Sequence, residues 1–127
     1  MTVQILLDTH ILLWAMSDRK KLKPAIFTMI DDPDNLVFVS AISLAELRIK
    51  HRIGKLKIEA DLESTVIDSG FNPLPFLMEH AHWLSELPLH HRDPFDRMLI
   101  AQAAEDGLTL ITSDKTLSLY PIATLIN

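Results

Sequence analysis

The sequence predicts an α/β fold in which a parallel sheet carries helices on both faces. Three observations lead there. Short apolar runs at residues 3–7, 36–39 and 108–111 have the length and composition of buried strands. The segments between them carry helical periodicity and helix-start signals. Strand-like and helix-like segments also alternate, which is the pattern of a parallel sheet with crossover helices.

Residues 3–7 form a run that ends in Asp8. Residues 10–16 are apolar-rich and read as a helix that stops near Ser17 and Asp18. Pro24 suits the first turn of a second helix through about residue 30, closed by Asp31, Asp32 and Pro33. After the strand at 36–39, Leu44, Leu47 and Ile49 carry a helix toward Arg52, with Gly54 as its stop. Residues 60–69 read as a further helix, ended by Gly70. A short strand comes next at 71–74 and a helix at 76–87. Residues 94–105 give the clearest helix: Asp93 precedes it, Pro94 takes its first position and Gly107 closes it. Strands at 108–111 and 122–125 complete the order. With no internal repeat and no linker, residues 1–127 read as one domain.

Composition narrows the function classes. Hydrophobic residues make up 48% of the 127, enough for a real core. There is no cysteine, which removes disulfides and thiolate metal sites. No apolar run reaches the roughly 18 residues of a membrane span, and the first residues carry no basic leader. The expectation is a soluble, cytoplasmic protein. The net charge of −5 is unevenly spread. Residues 1–57 hold nine of the twelve Lys/Arg against six acids, whereas residues 58–127 hold three against eleven. Two basic runs stand out: Arg19, Lys20, Lys21 and Lys23, then Arg48, Lys50, Arg52, Lys55 and Lys57. Such runs are either solvated surface or a phosphate-contacting rim beside an acidic site.

The topology collects acids. Right-handed crossovers place the end of each strand beside the start of the next helix. Asp8, Asp114 and the start of the helix bearing Glu46 therefore share one edge of the sheet. So does Asp96, near the start of the helix that leads into the strand at 108–111. In open α/β sheets this edge binds ligands. Each acid also has a structural role open to it. Ser43 and Glu46 have capping-box spacing, Asp93 and Asp96 fit an N-cap and an acid in the first turn, and Asp8 and Asp114 can each cap a helical turn. Four acids at one edge nevertheless repel one another, and Arg92, Arg97 and Lys115 are not obviously placed to neutralise them all. An oxygen-only donor set of this kind suits Mg²⁺ or Mn²⁺.

Other residues are less telling. His80 and His82 point to different helix faces, His90 and His91 lie in a loop, and His51 belongs to a basic run. These read as surface or satisfied core histidines. His10 comes directly after Asp8 and can line a site there. Thr9, Thr112 and Ser113 are hydroxyls beside the acids that can orient a carboxylate or cap a helix. Trp14 and Trp83 read as core. No phosphate-cradling glycine loop and no G-x-S-x-G elbow is present.

At LLDTHILLW, SLAEL, HRDPFDRMLIAQA and LITSD the chain resembles PIN-domain proteins, and more narrowly the VapC-type toxins with a DPFDR helix. The resemblance runs from Asp8 to Asp114 in the family's order. It implies an α/β/α sandwich with a central parallel sheet and a Mg²⁺- or Mn²⁺-dependent ribonuclease. Its acidic quartet would be Asp8, Glu46, Asp96 and Asp114, with Asp93 as an accessory ligand or a plain N-cap. Asp8 and Asp96 would be the main metal ligands, Asp114 would complete the shell, and Glu46 would bind metal or orient water. Lys20, Lys21, Arg48, Lys50 and Arg52 would track the RNA backbone. A homodimer and a cognate VapB-like antitoxin are the implied partners. Two other readings stand beside it: a phosphohydrolase with an Asp nucleophile, and a silent module whose acidic groove receives a basic peptide.

Overall fold

The computed structural model describes residues 2–58 and 61–127. Five strands form one sheet in the order β3-β2-β1-β4-β5, and every neighbouring pair is parallel. β1 is Gln4–Leu7, β2 Leu36–Ser40, β3 Asn72–Leu74, β4 Thr109–Thr112 and β5 Thr124–Ile126. The helices are α1 (Thr9–Ser17), α2 (Pro24–Asp31), α3 (Ala41–Arg52), α4 (Leu62–Asp68), α5 (Met78–Glu86) and α6 (Pro94–Asp106). Short 3-10 segments begin after Asp18 and after Asp114. No described helix is long and apolar enough to cross a membrane.

The inner strands β1, β2 and β4 are largely buried on both faces, so they read as continuous apolar runs rather than alternating ones, whereas the edge strands β3 and β5 are only partly covered. Alternation decides only which side each residue joins. Ile5, Leu7, Val37, Val39 and Ile111 pack with α1, α2 and α4. Leu6 and Leu110 pack with Leu99, Ile100 and Ala103 of α6, with Phe38 against them. Ile5, Leu6, Leu7, Leu110 and Ile111 are fully buried. Each such side chain contributes about 1.5–3 kcal/mol of transfer free energy. The central pair of strands, β1 and β4, is therefore a rigid platform, and Asp8 and Asp114 lie just beyond its C-terminal edge.

Helix ends match the sequence signals with some exceptions. Asp93 accepts N–H bonds from Phe95 and Asp96, and Gly107 ends α6 at φ 67°, the left-handed conformation that suits glycine. The helix predicted over 60–69 is described as Leu62–Asp68, and its predicted start at Ala60 lies outside the described residues. α5 starts at Met78 rather than residue 76. Its N-terminus is closed by His80, whose Nδ1 accepts the Leu77 N–H at 2.9 Å. His80 is 1% exposed and its Nε2 meets Asp106 at 2.8 Å, so it is a satisfied core histidine.

One correction bears on the site. The capping-box reading of Ser43 and Glu46 does not hold. α3 begins at Ala41, and its N-cap is Ser40, whose Oγ accepts the Ile42 N–H at 2.9 Å. Both serines are competent caps. Ser40 is the one whose hydroxyl also reaches Gln102 Oε1, at 2.6 Å, across a buried contact with α6. Glu46 therefore sits in the second turn of α3, and its carboxylate is free to face another element.

Candidate metal centre

Asp8 is fixed by its own backbone. It leaves β1 in an extended conformation and caps α1, its Oδ1 accepting the Ile11 N–H at 2.8 Å. Its Oδ2 accepts the Thr112 hydroxyl from the end of β4. Only 4% of Asp8 is exposed. Burial pushes its carboxyl above the usual range and the charge of Glu46 adds to that. The Thr112 hydroxyl, the Ile11 N–H and His10 pull the other way.

Glu46 approaches from α3. Its Oε1 accepts the Thr9 hydroxyl at 2.7 Å and its Oε2 lies 2.6 Å from Lys50 Nζ, one turn further along. Thr9 Oγ1 also lies 3.2 Å from Ser43 Oγ. Thr9 thus ties α1 to α3. Thr112 does the same for Asp8 and Asp114: it donates to Asp8, and its oxygen accepts the Asp114 N–H at 3.0 Å. Two threonines, at the start of α1 and the end of β4, lock the acidic edge together. Ser113 makes no side-chain hydrogen bond among the described residues. His10 is exposed and stacks on Trp14, with ring centres 5.9 Å apart.

The fourth arm comes from the α5–α6 connection and α6. Asp96 lies in the first turn of α6, and its Oδ2 is 3.4 Å from His91 Nε2. The same nitrogen is 2.8 Å from Asp114 Oδ2. One ligand atom from each of His91, Asp96 and Asp114 falls within 4.8 Å of the others. Burial, then Asp93, Asp8 and Glu46, push the Asp96 carboxyl up to about 7, with His91 working against them. Burial acts upward on Asp114 too. There it is outweighed by the Thr116 N–H, His91 and the Thr116 side chain, which hold that carboxyl below the usual range.

The cations divide unequally around these acids. Lys50 is committed to Glu46. Arg97, adjacent to Asp96 in sequence, points away: Nη1 donates to Pro88 O at 2.9 Å and Tyr120 Oη at 3.1 Å, and Nη2 to Leu84 O at 2.8 Å. Arg92 and Lys115 are exposed. Asp8 and Asp96 thus keep a charge deficit that their hydrogen bonds do not remove.

The profile of the PIN domain family matches residues 5–122. The chain belongs to the PIN domain family. Among solved structures, it is similar to VapBC2 from Rickettsia felis bound to a DNA fragment from their promoter, with TM-score 0.73 and 18% identity over 98% of this chain and 99% of that one. It is also similar to DNA-bound VapBC from Salmonella typhimurium, with TM-score 0.68 and 17% identity over 98% of each chain. FitAcB from Neisseria gonorrhoeae gives TM-score 0.63 and 22% identity over 97% of this chain and 96% of that one. At these identities the likeness is one of fold. No curated protein sequence matches the chain.

In this PIN fold the four acids predicted from the sequence, Asp8, Glu46, Asp96 and Asp114, stand around one edge of the sheet, linked by Thr9, Thr112 and His91. Asp93 acts as an N-cap whose charge also reaches Asp96. The donor set fits a hard divalent cation, because the acids raised by burial are carboxylates short of positive charge. His91 carries no site signal in the sequence, where it is one of two adjacent loop histidines. Its side chain is 20% exposed and joins the acids through contacts with residues up to 23 positions away. The candidate backbone-tracking residues are less uniform than their sequence run. Arg48 pairs with Glu63 at 2.8 Å, and Lys21 Nζ lies 5.8 Å from the Trp14 ring centre. Lys20 and Arg52 are exposed.

Proposed function

We propose that this PIN domain is a Mg²⁺- or Mn²⁺-dependent endoribonuclease, the toxin of a toxin–antitoxin pair. The observation that carries the reading is the convergence of Asp8, Glu46, Asp96 and Asp114 on one sheet edge, held by Thr9, Thr112 and His91, where burial and three neighbouring acids raise the Asp96 carboxyl. Such a site stores electrostatic repulsion that a divalent cation relieves. Asp8 and Asp96 would hold the ion, with Asp114 and Glu46 completing the shell. Bound there, it supplies Lewis-acid polarisation of a phosphodiester and a more acidic water.

The chain's own groups supply positioning. Ile11 N–H and Thr112 fix the two oxygens of Asp8, so neither can rotate away. Thr9 and Lys50 fix Glu46 in the same way. Lys20, Lys21 and Arg52 would meet the RNA backbone, with Arg48 and Lys50 contributing charge from their ion pairs. Similar solved structures include VapBC from two bacteria, which supports a VapB-like antitoxin as partner. A homodimer as the assembly and a cytoplasmic location belong to the same proposal. One domain over residues 1–127 is part of the same reading.

A titration with Mg²⁺ or Mn²⁺, using end-labelled single-stranded RNA and a phosphomonoester in parallel, tests it. Metal-dependent RNA cleavage is expected. Cleavage of the monoester alone points to the phosphohydrolase, and absence of both to a silent peptide-binding module.

A further inference from the structure

His91 lies outside the acid quartet, yet it touches two of its members. Its main chain is anchored independently of its ring. The His91 N–H donates to Tyr120 Oη at 2.9 Å, and Tyr120 is 3% exposed and also takes a bond from Arg97. The ring is then oriented by a second contact, in which Nδ1 accepts the Asp93 N–H at 3.0 Å.

That contact decides the tautomer. A nitrogen that accepts from a backbone N–H carries no proton, so the ring hydrogen lies on Nε2. Nε2 is the atom 2.8 Å from Asp114 Oδ2 and 3.4 Å from Asp96 Oδ2. A nitrogen bearing a proton donates and cannot ligate. To become a metal ligand, Nε2 would have to pass its proton to Nδ1, which would then face the Asp93 N–H as a second donor. The N-cap of α6 opposes that exchange.

We propose that His91 is a positioning residue of the centre: its Nε2–H, locked by the Asp93 main chain, orients the Asp114 carboxylate beside Asp96 and is not itself a metal ligand. The inference rests on the metallonuclease reading. It gives the DPFDR segment a further role, since the residue that caps α6 also sets the proton position of the ring preceding it.

The test uses the full chain, with Mn²⁺ as probe, in wild type, His91→Ala and His91→Gln. Mn²⁺ affinity is read by the EPR signal of the free ion. Loss of an orienting donor costs metal affinity on the order of 10-fold. His91→Ala should show that loss, and His91→Gln, whose amide can reach the Nε2 position, should recover most of it. ¹⁵N NMR of the metal-free wild type should show the ring hydrogen on Nε2 and an Nδ1 that accepts. Pulsed EPR of the Mn²⁺-loaded wild type should show no directly coordinated imidazole nitrogen. A direct nitrogen coupling, an Nδ1–H tautomer, or a His91→Ala protein that binds Mn²⁺ as wild type does would overturn the proposal. The NMR and pulsed EPR measurements need no variant to fold. If wild type binds no Mn²⁺, the metallonuclease reading falls and this inference with it. If only the His91 results fail, the nuclease reading stands without it.

Discussion

Lys50 Nζ lies 2.6 Å from Glu46 Oε2, one helical turn away on α3. The hydrogen bond to Glu46 raises the lysine's pKa above its ordinary value against the opposing effect of its burial, so it stays charged throughout the physiological range. The lysine is partly exposed and the glutamate nearly buried. Its main role in the metal-free protein is then to neutralise Glu46 rather than to wait for a phosphate.

Lys50→Met should accordingly destabilise the metal-free protein by about 0.5–1 kcal/mol, the scale of a partly solvated pair. The rise in Tm on adding Mg²⁺ should be larger than in wild type, because the ion then relieves more repulsion. Thermal melts with and without Mg²⁺ check both points. An unchanged Mg²⁺ response, together with a weaker salt dependence of RNA binding, would return Lys50 to the substrate-tracking role.

Asp8 and Asp96 are both shifted upward and act in the same direction, and Asp96 sets the pH window. Its carboxyl titrates near 7 in the fold, against 3.8 for an unperturbed aspartate. Between those values the folded chain holds a proton that the unfolded chain has released. Stability from this group therefore falls as pH rises from about 4 to about 7. Asp114 is shifted downward, so its contribution is lost only as pH falls below its unfolded value. In chelator, Asp96→Asn should stabilise the protein by on the order of 1–2 kcal/mol at pH 8 and flatten the decline between pH 4 and 7. Denaturation midpoints across that range read it out. A wild-type stability that climbs steadily over this window would contradict the assignment.

Arg97 is a buried cation with no carboxylate in its hydrogen-bond set. Its bonds end on Pro88 O, Leu84 O, Leu87 O and Tyr120 Oη. It pins the end of α5 and the turn after it, and it shares Tyr120 Oη with the His91 N–H. Arg97→Met removes those charged donors and leaves carbonyls unpaired, at a cost of about 2–4 kcal/mol. Urea unfolding should show that loss, whereas Arg92→Met on the exposed neighbour should stay within about 0.5 kcal/mol of wild type.

Much of this architecture is visible in the chain because its signals are local. Asp93, Pro94 and Gly107 mark both ends of α6, and the apolar run ending in Asp8 marks β1 and the start of α1. The site is harder to read where two local signals compete or where the contact is remote. Ser40 and Ser43 are both good N-caps, and only their remote buried contacts, Ser40 with Gln102 and Ser43 with Thr9, tell them apart. His91 meets Asp114 across 23 residues, and no periodicity encodes such a contact. Lys50 sits at the ion-pair spacing from Glu46, but a run of basic residues around it masks that pairing. Arg97 stands next to Asp96 in sequence, and only the fold shows that it faces the opposite way.

Whether the four carboxylates hold a catalytic cation is tested most directly by Asp8→Asn. Asparagine is also a good N-cap and keeps the oxygen that accepts the Ile11 N–H, so the fold should survive. Cleavage of end-labelled RNA is measured over a Mn²⁺ series for wild type and variant, beside their metal-free melting curves. Wild type should cleave in a metal-dependent manner, and Asp8→Asn should not cleave at any Mn²⁺ concentration. The metal-free variant should melt at an equal or higher temperature than wild type. Full metal-dependent cleavage by Asp8→Asn would contradict a cation held by these carboxylates.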